Sequence, residues 1–267
     1  MSQIPGNAIA AEGLHAPGTR RRWLAPLLIG LSLLVIVLGA SVGSTGLDAL
    51  WRAARDPVAW QIVMDIRLPR TVGAWLTGAL LGLAGAVAQG LFRNPLADPY
   101  LLGSASGASL GVALALALMG GGAGMVAGSK GVIASLIFSG HWLVRLGLTG
   151  AAFAGAVLAV LLTLALARGV QHTLRLLLAG VIVGVVLGAI KDLITISSVD
   201  VLQAIVGFML GSTALVGWSA CAVMGVLAAV CLLLGWALAP VLDGLALGEA
   251  TAQSLGMPLG AMRAALV

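Results

Sequence analysis

Two arginines, Arg67 and Arg70, flank Leu68-Pro69 immediately before a long apolar stretch. A guanidinium group holds its N–H donors in a planar fork, so it can form two parallel hydrogen bonds to one carboxylate. At the mouth of an apolar span such a pair can bind acidic groups of a partner, or it can reach the phosphates of lipid headgroups. The residue types alone leave both interpretations open.

A polar turn follows that apolar stretch and reads RNPLADPY from Arg93 to Tyr100. Asn94 and Asp98 each precede a proline, which disfavours helix at both positions, and their side chains can cap helix starts or bond to nearby backbone groups. The pattern predicts a tight hairpin between two helices. A hairpin alone is sufficient to explain these residue types.

Glycines recur at four-residue intervals in two later apolar stretches. Without a β-carbon at these positions another backbone can approach closely, so the spacing predicts two tightly packed helix faces. The two sets are Gly103, Gly107 and Gly111, followed by Gly180, Gly184 and Gly188.

Three patterns typical of enzymes or metal sites are missing from the sequence or stand in the wrong context. No G-x-x-x-x-G-K-[ST] loop occurs, so any ATP must be bound by a separate subunit. No group of His and Cys residues has metal-ligand spacing, so neither a metal nor a cofactor is predicted. A G-x-S-x-G string at 107–111 lies in an apolar helix without an acid-histidine pair, which argues against a serine hydrolase.

The composition determines which elements carry these residues. Hydrophobic residues make up 60% of the chain and charged residues 9%, with a mean hydropathy of +1.12, which excludes an ordinary soluble domain. Apolar stretches of about 20 residues are long enough to cross a hydrocarbon core of roughly 30 Å. The sequence therefore predicts an all-α, polytopic helical membrane protein. Its basic residues are scattered over short loops, which favours lipid headgroups and protein partners over nucleic acid.

Six membrane spans are predicted, and a shorter apolar segment, Val201 to Leu210, is too brief to cross and is expected at the outer surface. The glycine-rich run after Gly120 is expected to be flexible, and Cys221 and Cys231 are expected to be buried thiols. The six spans are Trp23 to Val42, Thr71 to Phe92, Tyr100 to Met119, Trp142 to Ala167, Leu174 to Ile196 and Val216 to Ala239.

Residues 1–22 are polar and end in three arginines, which predicts a cytoplasmic tail before a retained first helix. With that orientation Arg93, Arg168 and Arg175 lie inside, and Arg67 and Arg70 lie outside. Over the whole chain seven basic residues then lie on each side, because Arg20 to Arg22 and Arg263 join the inside group and Arg52, Arg55, Lys130, Arg145 and Lys191 join the outside group. The N-terminal arginine triplet therefore decides the predicted orientation.

The order of the motifs along the chain resembles that in the transmembrane subunits of FecCD-type ABC importers. These motifs are the arginine pair, the RNPLADPY turn, the glycine-rich helices and the string LALGEATAQSLG at 245–256. The resemblance covers the chain from about residue 20 onward. It implies a permease domain over 23–267 in the bacterial inner membrane that carries iron-siderophores, haem or cobalamin and is not itself an enzyme. It further implies a homodimer, two copies of a separate ATPase subunit and a periplasmic substrate-binding protein.

The resemblance also implies roles for particular residues. Arg67 and Arg70 would grip carboxylates of the binding protein, and the glycine faces would pack beside the substrate pathway. The cytoplasmic gate would comprise Asn94, Leu96, His172 and Thr173. The 245–256 segment would be a helix docked in a groove of the ATPase, an interfacial helix lying on lipid being the alternative; its implied coupling residues are Leu247, Gly248, Glu249, Ala250, Leu255 and Gly256.

Members of the family have roughly ten spans, so the resemblance implies a chain truncated at the C-terminus, which stops as a seventh span begins at Met262. Two other classes of function stay open. An ion-coupled secondary transporter would need charges within the membrane, for which Lys191 and Asp192 are the candidates. A non-transporting fragment is the second alternative.

Overall fold

A computed structural model describes residues 18–42, 55–127, 142–169, 173–197, 199–214, 216–246 and 266. The secondary structure in these ranges is helical, which confirms the predicted all-α fold. Five of the described helices are long and apolar enough to cross a membrane: Trp23–Ser41, Pro57–Phe92, Leu146–Leu166, Leu174–Ile196 and Trp218–Leu245.

The first of two compact units extends to Val72. Helix α1 spans Gly18–Ser41, α2 spans Pro57–Gln61, and a π-helical segment, Ile62–Arg67, leads into α3, Leu68–Phe92. Helix α2 is well capped, because Asp56 Oδ1 accepts a hydrogen bond of 2.9 Å from the Val58 N–H and a proline occupies the first turn.

The second span therefore begins at Pro57, well before the predicted Thr71, and Pro69 lies inside continuous helix. A proline in a regular helix lacks one N–H donor, and its ring collides with the carbonyl four residues back. Here the preceding turn is widened, and the Leu68 N–H bonds to the Val63 carbonyl five residues back. The π-helical segment thus lets the helix continue through a proline at which sequence reasoning started a new element.

The second unit begins at Gly73. Beyond the rest of α3 its helices are α4 (Ser104–Ala127), α5 (Trp142–Leu166), α6 (Thr173–Ile196), α7 (Val199–Leu210) and α8 (Trp218–Ala246). Helices α4, α5 and α6 pack against one another, and α7 packs on α4 and α6. Buried side chains at the α7 contact are Val112, Ala113, Leu116, Val201 and Ile205.

Several predicted boundaries are wrong. The third predicted span is not among the five helices long and apolar enough to cross a membrane, since only Ser104–Met119 of it is apolar helix. That helix starts at Ser104 rather than Tyr100, because 100–103 form turns, and it continues to Ala127 through glycines that were expected to be flexible. The last helix continues through Pro240 to Ala246 instead of ending at Ala239. Cys231 is exposed, contrary to expectation, whereas Cys221 is buried.

Helices α3 and α5 end in the same way, on an arginine with positive φ. The φ angle is 50° at Arg93 and 57° at Arg168, a left-handed conformation that L-residues seldom adopt. At each end the arginine N–H bonds to the carbonyl three residues back, and the next N–H bonds to the carbonyl five residues back. This is the Schellman arrangement, which usually places glycine where these arginines stand.

Candidate functional site

The two arginines singled out from sequence line a common cleft in the first unit. Its volume is about 410 Å³, and its other lining residues are Gly39, Val42, Ile62, Ile66 and Thr71. Arg67 Nη1 and Arg70 Nε are both buried, and Arg67 Nη1 has no hydrogen-bond partner among the described residues. We call this feature the arginine cleft. It holds guanidinium donors inside a concave surface. An acidic group that enters the cleft can accept hydrogen bonds from these donors with less competition from water than at a flat surface.

The cleft is shaped by close packing between α1 and the second span. A β-carbon at Gly39 would press on the Thr71 methyl group. The Thr71 hydroxyl donates to the Arg67 carbonyl at 2.9 Å, which ties the turn that carries both arginines. Both arginines are thus presented by continuous helix, Arg67 at the end of the π-helical segment and Arg70 in the first turns of α3.

The RNPLADPY segment consists of two successive four-residue turns with the same hydrogen-bond pattern. The Asn94 carbonyl accepts from the Ala97 N–H at 3.0 Å, and the Asp98 carbonyl accepts from the Leu101 N–H at 3.2 Å. Each turn is closed a second time by its first side chain: Asn94 Oδ1 accepts from the Leu96 N–H at 2.9 Å, and Asp98 Oδ1 accepts from the Tyr100 N–H at 2.7 Å. The prolines in second position fix φ where such turns require it. The predicted tight turn is confirmed.

This turn packs on the end of the helical bundle. Ala97 is buried in a cluster formed by the ends of α3 and α5 and the start of α6, whose other buried members are Ala88, Leu91, Phe92, Ala167, Leu176 and Ala179. Leu96, by contrast, is 87% exposed at the tip. Asn94 and Leu96 thus lie on a turn packed beside the helix that begins at Thr173. His172, the other predicted gate residue, lies outside the described residues.

Glycines at four-residue spacing produce direct backbone contact between helices. A β-carbon at Gly107 would overlap the Gly155 carbonyl and the Ala159 methyl, and one at Gly111 would overlap the Ala151 carbonyl. The first predicted glycine face is therefore confirmed at Gly107 and Gly111 as a close crossing of α4 and α5. Gly103 departs from the prediction, because it lies before α4 and contacts α6. The partner face on α5 was missed, although Ala151, Gly155 and Ala159 show the same spacing in the sequence.

The second glycine face is only partly as predicted. A β-carbon at Gly180 would overlap the Leu101 carbonyl, and the Gly184 position lies 3.7 Å from the Ser106 hydroxyl. Gly188 has no described atom within 4 Å of such a carbon, so its predicted packing role is wrong for the residues that the structure describes. Beside this face runs an open groove of about 460 Å³, lined by residues that include Tyr100, Ser106 and Gly184.

The string LALGEATAQSLG is divided by the structure. Leu245 is fully buried at the end of α8, where it clusters with Val241. It is helix interior rather than the start of a separate coupling segment. The predicted coupling residues from Leu247 to Gly256 lie outside the described residues.

Lys191 and Asp192 form an ion pair near the end of α6, with 2.7 Å between Nζ and Oδ1. The Asp192 side chain is 64% exposed, whereas that of Lys191 is 15% exposed. Adjacent charges that neutralise each other at a helix end are typical of an interfacial anchor. Among the described residues no group of three or more His, Cys, Asp or Glu side chains is placed to hold a metal ion.

Comparison with known proteins identifies the class of molecule that these helices form. The model of the FecCD transport family matches residues 27–267. Vitamin B12 import system permease proteins BtuC of Citrobacter koseri and Salmonella typhi are 37% and 38% identical over 248 residues. Those matches cover 92% of this chain and 68% of each relative. A solved structure described as an inward-facing ABC transporter of metal-chelate type superposes with a TM-score of 0.72 at 27% identity, covering 92% of this chain and 71% of the other.

The protein is a multi-pass membrane permease of an ABC importer. The chain belongs to the FecCD transport family. Permeases of this family are transport subunits, and the ATPase lies in a separate subunit. Membership therefore implies an ATPase partner and a substrate-binding protein.

Proposed function

We propose that this chain forms the substrate conduit of a homodimeric importer for cobalamin or an iron chelate, either siderophore or haem. The observation that carries the proposal is the rigid RNPLADPY turn seated against the glycine face of α6, which places a shaped polar turn beside a helix suited to line a path. The vitamin B12 permeases among the relatives favour cobalamin within this group of cargoes.

The arginine cleft is proposed as the docking site for an acidic patch on a periplasmic substrate-binding protein. Buried guanidinium donors, with Arg67 Nη1 lacking a hydrogen-bond partner among the described residues, support binding to carboxylates. Interaction of the same arginines with lipid phosphates is the competing use. The two uses differ in salt and partner dependence, because docking requires the protein partner and lipid anchoring does not.

The remaining assignments place the chain in the bacterial inner membrane with its N-terminus in the cytoplasm. In that orientation Asn94 and Leu96, with His172 and Thr173, close the cytoplasmic end of the path. In each permease subunit, the segment that contains Gly248 and Glu249 docks in a groove of one ATPase subunit. Alternating access then moves cargo between the two permease subunits when the ATPases close.

The test is reconstitution of the permease with its ATPase and binding protein in proteoliposomes. We expect ATP-dependent uptake of cobalamin that requires the binding protein, and we expect the double variant Arg67→Glu, Arg70→Glu to lose that uptake while remaining folded. Arg175→Glu is the control for charge reversal as such, because it reverses one exposed arginine outside the cleft, and it is compared with Arg67→Glu alone as well as with the double variant. Uptake of siderophore or haem instead of cobalamin would reassign the cargo, and normal uptake by the double variant would refute the docking assignment.

A further inference from the structure

Thr163 in α5 makes an unusual hydrogen bond for a helical threonine in this chain. Its hydroxyl donates to the Leu102 carbonyl at 2.9 Å, across 61 positions of sequence, and the residue is 0% exposed. By contrast, the hydroxyls of Thr71, Thr77 and Thr195 each donate to the carbonyl four residues back in their own helix. Thr163 therefore links two elements, whereas the other three stabilise only local geometry.

The Leu102 carbonyl requires a partner of this kind. Leu102 lies between the RNPLADPY turn and α4, where the backbone is not helical and no backbone N–H among the described residues donates to its carbonyl. Inside an apolar bundle an unpaired carbonyl is costly, since no water replaces the missing donor. The Thr163 hydroxyl supplies that donor from a neighbouring helix.

A second restraint acts on the same few residues from α6. The absent side chain of Gly180 lets the Leu101 carbonyl and the Leu102 Cα lie directly against the helix backbone. The next residue, Gly103, has φ of +79° and lies against the Gly180 carbonyl. The end of the turn is thus held on one side by a hydrogen bond to α5 and on the other by backbone contact with α6.

We propose that Thr163 is a positioning residue that fixes the turn over 94–103 to α5 and α6, so that the turn moves with these helices as one body. It does not open as an independent flap. The attachment of the turn to the two helices is inferred from the Thr163 hydrogen bond and the Gly180 backbone contact alone. Its consequence for transport rests on the proposed function: the cytoplasmic gate is opened by displacement of α6 and its turn together.

The experiment compares three variants of the complete permease by hydrogen exchange. Thr163→Val removes the hydroxyl at nearly constant shape, Thr163→Ser retains it, and Thr195→Val removes a similarly buried hydroxyl that bonds within its own helix. The readout is the exchange rate of the turn amides that are hydrogen-bonded, namely those of Leu96, Ala97, Tyr100, Leu101 and Gly103. Amides of α8 report whether the whole protein has been destabilised.

We expect Thr163→Val to accelerate exchange in the turn by about five- to thirtyfold while α8 is unchanged. Thr163→Ser should restore protection, and Thr195→Val should leave the turn as in the parent protein. Unchanged turn exchange in Thr163→Val, or equal acceleration in the turn and α8, would overturn the inference.

A second measurement, the ratio of cargo moved to ATP hydrolysed in the reconstituted importer, tests the consequence for the gate. Thr163→Val should lower this ratio, with ATP hydrolysis itself maintained, and Thr163→Ser should restore it. An unchanged ratio despite faster turn exchange would refute the gating role alone. Absence of ATP-driven uptake in the parent protein would refute the proposed function, and the exchange data would still decide the mechanical inference.

Discussion

Glycines with the same spacing on one helix differ in what a side chain would meet. In α6 a β-carbon at Gly180 would overlap the backbone of Leu101, whereas one at Gly188 meets no described atom within 4 Å. Helix propensity favours alanine over glycine at both positions by about 1 kcal/mol. Packing therefore determines how a change to alanine affects stability at Gly180, and helix propensity determines it at Gly188.

We expect Gly180→Ala to destabilise the permease by about 1–3 kcal/mol, because backbone must shift to admit the methyl group. Gly188→Ala should be neutral or stabilising by up to about 1 kcal/mol. Thermal unfolding of the purified permease in detergent measures both variants. Similar melting temperatures for the two would show that the backbone contact at Gly180 is not tight.

Arg168 has a left-handed backbone conformation that costs an L-residue roughly 1–2 kcal/mol and costs glycine little. Arg168→Gly should therefore be more stable than Arg168→Ile by about 1–2 kcal/mol, a comparison in which both variants lose the same charge. At Arg175, in regular helix, the order should reverse, since glycine is the poorer helix former. Unfolding midpoints of the four variants give the comparison, and the same order at both sites would contradict the explanation.

At the scale of the elements, the RNPLADPY turn depends on side-chain oxygens that accept hydrogen bonds from backbone N–H groups. Asn94→Asp keeps the oxygen that accepts from the Leu96 N–H, whereas Asn94→Leu removes it at similar size. We expect Asn94→Leu to destabilise the turn by about 0.5–1.5 kcal/mol and Asn94→Asp to remain close to the parent. Hydrogen exchange at the Leu96 amide reports the difference. Equal protection in the two variants would mean that the prolines alone hold the turn.

Local sequence signals predicted elements well when the cause of the structure is local. The turn at 93–100 follows from two Asx-Pro pairs, and the α4 face follows from glycine spacing. The π-helical segment before Pro69 was not predictable in this way, because a proline normally indicates a helix start and nothing in the local sequence shows that the preceding turn widens to accept it. The Thr163 bond was hidden for another reason: its acceptor lies 61 positions away, and only tertiary packing brings the two together.

At the scale of the whole molecule, many of the large apolar side chains in the described residues are exposed. Phe153 is 72% exposed and Trp236 is 78% exposed, and the described core clusters are small. In a membrane these side chains contact lipid, so close packing and hydrogen bonds, rather than burial from water, hold the helices together. This explains why backbone contacts at Gly107 and Gly180 carry so much of the described packing.

The energy source for transport is also a property of the whole assembly. Lys191 and Asp192, the charges considered for ion coupling, bond to each other near a helix end. We expect the double variant Lys191→Gln, Asp192→Asn to retain ATP-driven uptake within about fivefold, since an ion pair whose aspartate is largely exposed contributes about 1 kcal/mol or less. Uptake driven by a proton or sodium gradient in vesicles without ATPase, and lost in this variant, would establish a secondary transporter instead.

In the RNPLADPY turn, different residues shape the backbone and occupy its outer surface. Asn94, Asp98 and the two prolines set the path of the chain, whereas the Leu96 side chain, 87% exposed, has no part in those hydrogen bonds. Tyr100 contributes only backbone groups to the turn, since its N–H donates to Asp98 Oδ1 and its carbonyl accepts from the Gly103 N–H. Mutation at 96 and 100 can therefore change the side chains on the outer surface of the turn without changing the path of its backbone. These two positions are therefore suitable for a combinatorial library aimed at altered cargo. For the same reason, natural substitutions at them can accumulate at little cost to folding.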